Sequence, residues 1–150
     1  MTRSTKQKLA DAFTLYHCVK NDLQVKRKTA ADGSIATHPI IACMRLPEAT
    51  VLQQCIDWLT ARRIFCDRMN VGKGTLGKDM GFYSYGIIGA GDIIGILPGG
   101  RHFEIECKQG KGGRLSEVQQ KRMLDVRNAG GMYCVVHGIP ELEYYFKGLV

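Results

Sequence analysis

Two strand-like runs dominate the middle of the chain. Asp92-Ile93-Ile94-Gly95-Ile96-Leu97 and Arg101-His102-Phe103-Glu104-Ile105-Glu106-Cys107-Lys108 flank the triplet Pro98-Gly99-Gly100. The triplet is a turn signal, since proline presets one backbone angle and glycine admits conformations closed to other residues. The first run is continuously apolar and rich in isoleucine, the pattern of a buried strand. The second alternates, with Phe103, Ile105 and Cys107 on one face and Glu104, Glu106 and Lys108 on the other. A β-hairpin over residues 92–108 is the element around which the rest must pack. It brings Asp92, Glu106 and Lys108 to one edge. A surface ion cluster is the plain alternative, because such clusters are common and stabilise little.

The neighbouring segments are helices and further strands. Pro47 suits a first helical position. From there Val51, Leu52, Cys55, Ile56, Trp58 and Leu59 form one apolar stripe at helical spacing. Glu48 falls within that stripe. It is either a solvated carboxylate favoured by the helix dipole or a carboxylate aimed at a site on the edge of the core. Ile64-Phe65-Cys66 begins a strand running towards Asn70. A Gly- and Lys-rich loop, Val71 to Lys78, precedes the aromatics Phe82, Tyr83 and Tyr85. Ammonium groups and exposed rings on a glycine loop suit a nucleic-acid backbone or an unstacked base, and an ordinary loop is the alternative.

Residues Gln109 to Arg114 read as a basic glycine loop. Ser116 is placed as a helix N-cap, with Gln119 as its capping-box partner. That helix should run to about Ala129 and stop at Gly130-Gly131. Leu115, Val118, Val126 and Ala129 mark its expected buried face, with Gln119 and Arg122 on the same side. Met132 to Val136 is a last buried strand. Pro140 to Val150 is a short helix or an extended arm. Residues 1–45 are less legible: Leu9, Ala12, Phe13 and Tyr16 fit a short helix, and Phe13 to Val19 fits a strand equally well. The order of elements predicts an α/β fold, a mixed sheet flanked by helices in one domain.

The chain carries 21 Lys and Arg against 14 Asp and Glu, a net charge of +7 on 150 residues. So large a surplus on a small domain favours a polyanionic partner. No apolar run is long enough to cross a membrane, and no signal-peptide core follows Met1-Thr2-Arg3, so an intracellular protein is expected. The six cysteines form no C-x-x-C pair and lie at no zinc-finger spacing; they are expected to be reduced core residues.

Two matches to nucleotide-binding patterns fail on context. Gly89-Ala90-Gly91-Asp92-Ile93-Ile94-Gly95 fits G-x-G-x-x-G, but β-branched residues and Pro-Gly-Gly follow where a helix should begin. Gly72 to Lys78 nearly fits a P-loop, but Asp79 stands where Ser or Thr would bind magnesium. No nucleotide cofactor is expected.

The chemistry that remains is that of a hard cation beside a phosphate. Asp92 and Glu106 supply carboxylates, the Cys107 carbonyl can add an oxygen, and Glu48 could join directly, through water or at a second metal. Lys108 could orient or deprotonate a water and offset developing charge, and Gln119 could orient water or a phosphate oxygen. Gly91-Asp92, the turn, Glu106-Cys107-Lys108 and the helix carrying Gln119 together resemble the PD-(D/E)xK nuclease superfamily. More narrowly, Gly-x-Gly-Asp-Ile-Ile-Gly, Pro-Gly-Gly-Arg, Ile-Glu-Cys-Lys and Gly-Arg-Leu-Ser-x-x-Gln resemble the VRR-NUC family over roughly residues 46–137. Ala90-Gly91 departs from the proline that the superfamily name implies.

That resemblance implies a restriction-endonuclease-like fold, Mg2+ or Mn2+, and DNA cleavage. It carries over Glu48, Asp92, Glu106, Lys108 and Gln119 as catalytic residues, with Asp92, Glu106, the Cys107 carbonyl and Glu48 at the metal. Lys73, Lys78, Tyr83, Lys111, Arg114 and Arg122 are the expected DNA contacts. Family members occur as small stand-alone nucleases of phages and bacteria, similar to four-way-junction resolvases acting as homodimers. The expectation is therefore a homodimeric endonuclease for branched DNA, first of all the four-way (Holliday) junction, in the cytoplasm of a bacterium or phage-infected cell. Residues 1–45 would be an N-terminal extension and candidate dimerisation element, and 138–150 a tail. The alternatives are a flap-type or non-specific nuclease, and a DNA-binding module without catalysis.

Overall fold

Strand and helix order follows the hydrophobic pattern. The computed structural model describes residues 32–70, 72–75 and 82–150, with backbone alone for 72–75 and 82–85. Along these residues the chain forms β1 (Ile35–Thr37), α1 (Glu48–Ala61), β2 (Phe65–Arg68), β3 (Gly72–Thr75) and β4 (Phe82–Tyr85). It continues through β5 (Ile93–Ile96), β6 (His102–Cys107), β7 (Gly113–Leu115), α2 (Glu117–Asn128), β8 (Met132–Val136) and α3 (Ile139–Phe146). The central sheet has the order β2-β5-β6-β8. The expected hairpin is present: β5 and β6 are antiparallel, with Ile93 opposite Ile105 and Gly95 opposite Phe103. β8 runs parallel to β6, which requires a crossover, and α2 supplies it. The α/β class with a mixed sheet and flanking helices is therefore observed.

Alternation along the strands divides the core in two. On one face Ile93, Phe103, Ile105, Cys107, Cys134 and Val136 pack against Val51, Cys55 and Leu59 of α1 and Leu142 and Phe146 of α3. On the other, Tyr133 and Val135 pack with Ile35, Leu115, and Met123 and Val126 of α2. The α1 stripe is as expected. The α2 face is not: its buried residues are Gln120, Met123 and Val126, whereas Val118 is 50% exposed. Ala129 is exposed too, and Leu115 is buried from β7 rather than from the helix. The reason is that Gln120 carries its amide into the interior and satisfies it there, on the Gly33 and Leu115 carbonyls at 3.0 Å each.

Three further expectations change. The glycine-lysine segment is not simply a loop: β3 and β4 pair antiparallel, with Lys73 opposite Ser84 and Gly74 opposite Tyr83. The basic segment before Ser116 contains β7, which pairs with β1. The buried core extends beyond residues 46–137: Ile35 on one side and Leu142 and Phe146 on the other are fully buried. A buried polar clamp joins these ends. Thr37 Oγ1 lies 2.9 Å from His137 Nε2, and His137 Nδ1 lies 2.6 Å from Glu141 Oε1. The backbone N–H groups of His137 and Ile40 donate to the same carboxylate. Cys55, Cys107 and Cys134 are buried and free, Cys66 is half-buried and free, and Cys43 is half-buried. Expectations for residues 1–31, Cys18 among them, lie outside the described residues. No helix among the described residues is long and apolar enough to cross a membrane.

The C-terminal segment is thus core rather than arm. Phe146 meets Phe103 edge-on at 5.2 Å and Trp58 at 5.8 Å between ring centroids. Phe146→Ala should lower the unfolding free energy by about 3–5 kcal/mol in urea titrations. A peripheral tail would leave the midpoint unchanged.

Candidate active site

The sheet face that carries α2 also carries the polar residues of β6. Glu104, Glu106 and Lys108 follow one another at the strand period, and all three are buried, at 0%, 3% and 7% exposure. Burial of three charges in a row demands partners for each.

Glu106 and Lys108 are partners of one another. Lys108 Nζ donates to Glu106 Oε1 at 2.9 Å. Gln119, from the first turn of α2, donates its Nε2 to the same oxygen at 2.7 Å. Its Oε1 accepts from Lys108 Nζ at 3.4 Å and from the Ser116 backbone N–H at 2.9 Å. With Ser116 Oγ accepting from the Gln119 N–H, this completes the expected capping box. One amide therefore fixes the start of the helix and holds the site. Gly113 leaves room for the lysine stem, because a Cβ there would lie 3.1 Å from Lys108 Cδ.

Asp92 approaches from the neighbouring strand. It is half-buried just before β5, and its Oδ2 accepts the Cys107 N–H at 2.8 Å. Burial raises its pKa against the opposing pull of the Cys107 N–H, Lys108 and Arg68. Burial also raises Glu106, to about 7, and the charges of Asp92 and Glu48 add to the rise against Lys108. The two carboxylates thus repel one another from adjacent strands. Among the described residues neither Asp92 Oδ1 nor Glu106 Oε2 receives a hydrogen bond. The Cys107 thiol is held well above its ordinary value by its contact with Cys55 and by burial, so it stays protonated and is no soft ligand.

Asp92, Glu106, Lys108 and Gln119 come together as the sequence predicts. Glu48 stands apart. It is exposed in the first turn of α1, its charge reaches Glu106, and it does not complete a third ligand position. Among the described residues no three His, Cys, Asp or Glu side chains gather closely enough to hold a metal ion. The donor set is two hard carboxylates with mutual repulsion that a cation would relieve. This fits magnesium or manganese, which bind through one or two carboxylates and keep several waters.

The expected DNA contacts divide. Lys111 and Arg114 are exposed, but the Arg114 guanidinium is engaged by Ser34, through Oγ at 2.7 Å and the carbonyl at 3.0 Å. Arg122 differs most from expectation. Its Nε and a terminal nitrogen donate to Glu104, the latter at 2.8 Å, so its guanidinium is committed to a buried carboxylate. Lys73 and Tyr83 lie on β3 and β4, whose backbone alone is described, and Lys78 lies outside the described residues. Sequence reasoning missed His102, Glu104 and Arg68. Glu104 was legible as a third polar residue on the Glu106 face, but nothing local marked that face as covered. Compared with family models, curated proteins and solved structures, the chain matches none.

Glu106 titrates near 4.5 when unperturbed and at about 7 in the folded, metal-free chain. Between these values the folded state holds more protons than the unfolded one, so stability falls as pH rises through the window. In EDTA the loss from pH 4.5 to 7 should be about 3 kcal/mol. Glu106→Gln should flatten that part of the profile. A wild-type curve that rises or stays level there, relative to the variant, would contradict the assigned environment.

Proposed function

We propose that this chain is a divalent-metal-dependent DNA endonuclease of the VRR-NUC type, with a restriction-endonuclease-like fold. The observation that carries the reading is the bonded constellation of Glu106, Lys108 and Gln119 beside Asp92, with both carboxylates pushed towards neutrality. A surface ion cluster, the plain alternative, would be solvated; this one is buried.

Asp92 and Glu106 would hold Mg2+ or Mn2+, with the Cys107 carbonyl as a further oxygen and Glu48 acting through water. Bound there, the cation supplies a Lewis acid and an acidified water. Lys108, donating from its place beside Glu106, orients the attacking water, whose proton leaves to solvent, and offsets charge developing on the phosphate. Gln119 holds Lys108 and Glu106 in register. The surplus of +7, with Lys111 and Arg114 at the surface, favours a polyanionic substrate. The branched-DNA preference, the four-way junction first, rests on the resemblance of the motifs, as do action as a homodimer and an intracellular setting. Two sites related by a two-fold axis would suit paired cuts in a symmetric junction.

The test is a panel of end-labelled junction, flap, nicked and linear DNA, with Mg2+ and with EDTA. Asp92→Ala should abolish cleavage while junction binding persists, and Lys108→Met should slow it by about 10²–10⁴-fold. Paired symmetric cuts identify the junction as substrate; cuts at flaps or scattered nicks identify the other nuclease activities. Full cleavage by a folded Asp92→Ala protein sinks the assignment, and junction binding with no cleavage under any metal leaves a binding module.

A further inference from the structure

Glu104 is closed off from solvent, at 0% exposure, and the chemistry above does not use it. Its carboxylate accepts from Arg122 at 2.8–3.2 Å and lies 2.9 Å from His102 Nε2. These partners outweigh burial and hold its pKa below the ordinary value. A buried ion pair of this kind is a poor device for stability, since well-packed apolar residues usually do as well. What Glu104 does that an apolar residue could not is accept the Gly91 N–H at 3.0 Å, one peptide before Asp92.

On either side of Gly91 the backbone is held by the Ala90 N–H on the Ile87 carbonyl at 3.1 Å and by the Met69 N–H on the Asp92 carbonyl at 2.8 Å, and Gly91 itself is closely packed. A Cβ at Gly91 would sit 2.8 Å from the Ile105 nitrogen. A Cβ at Gly89, where φ is +81°, would sit 2.5 Å from the Val118 carbonyl oxygen of α2. The Gly89 carbonyl accepts from Tyr133 Oη at 3.2 Å. The loop therefore lies flat between β6 and α2, and its buried amide at Gly91 must find an acceptor there. Glu104 is that acceptor, and Arg122 aims it.

We propose that Glu104 and Arg122 are positioning residues for Asp92: the chain of contacts from Arg122 through Glu104 to the Gly91 amide sets the carboxylate at the height of Glu106. The inference rests on Asp92 being a metal-binding carboxylate. Supporting residues of this type typically change metal affinity by 10–100-fold without touching the metal.

Three variants and one native-state measurement test it, with Mn2+ as the probe in isothermal titration calorimetry and thermal melts as the check on folding. Glu104→Met with Arg122→Met removes both charges and the acceptor; the Mn2+ dissociation constant should rise about 10–100-fold. Glu104→Gln with Arg122→Met removes both charges but returns a carbonyl oxygen to Gly91; affinity should recover most of that loss. Unchanged affinity in the first pair, or no recovery in the second, overturns the proposal. Asp92→Ala separates the two readings. If it binds Mn2+ as the wild type does, the metal reading itself fails; if it loses binding while the methionine pair keeps it, only the positioning role fails. Should the methionine pair not fold, hydrogen exchange of the Gly91 amide in the wild type decides. Strong protection is expected, and exchange at the rate of an open loop overturns the proposal.

Discussion

Strand β6 is covered on both faces, and the rest of the site follows from that. Its alternate residues Phe103, Ile105 and Cys107 fill one core; Glu104, Glu106 and Lys108 lie under the other. An effective penalty of several kcal/mol per buried ion cannot be met by solvent there. The surrounding elements must each deliver a partner, and they do. α2 sends Gln119 to Glu106 and Arg122 to Glu104, one helical turn apart. The loop before β5 sends Asp92 to the Cys107 amide and the Gly91 amide to Glu104.

These partners are shared rather than separate, which ties the site to the fold. The Gln119 amide closes the capping box of α2 and bonds Glu106 at the same time. The lysine stem needs the bare backbone of Gly113, and Gly113 is held by its pairing with Thr37 of β1. Thr37 in turn belongs to the buried clamp with His137 and Glu141. The C-terminal helix and the Lys108 stem are thus joined by a run of direct contacts through two short strands and one glycine.

The hairpin, the α1 stripe, the capping box and the site trio were legible because each has a local signal: alternation, helical spacing, or a fixed offset between cap and partner. What was missed lacks one. β1 and β7 have three residues each and are held by pairing across some eighty positions, which no local window contains. Val118 is expected inside because apolar residues are usually the buried ones; here Gln120 is buried instead, and two carbonyls satisfy its amide. Glu48 shares the angular sector of buried residues, yet in the first turn of α1 it is exposed. Arg122 is expected on the covered side of its helix and as a DNA contact; with β6 covered on both faces, it has a buried carboxylate, Glu104, to meet instead.

The two glutamates of β6 differ in how they are held, and the difference bears on what the site can do. Glu104 has three donors, and they pull its pKa down. Glu106 has the Lys108 Nζ at 2.9 Å and an amide at 2.7 Å, and it still rises to about 7, because burial, Asp92 and Glu48 oppose them. The structure had the means to neutralise Glu106 and instead leaves a second carboxylate beside it. An ionised Glu106 lowers the stability of the metal-free fold, and any cation that binds it restores what is lost, since binding to the native state alone adds to its stability. On the proposed reading, the residual repulsion between Asp92 and Glu106 is the driving force that draws a divalent ion to the edge of β6.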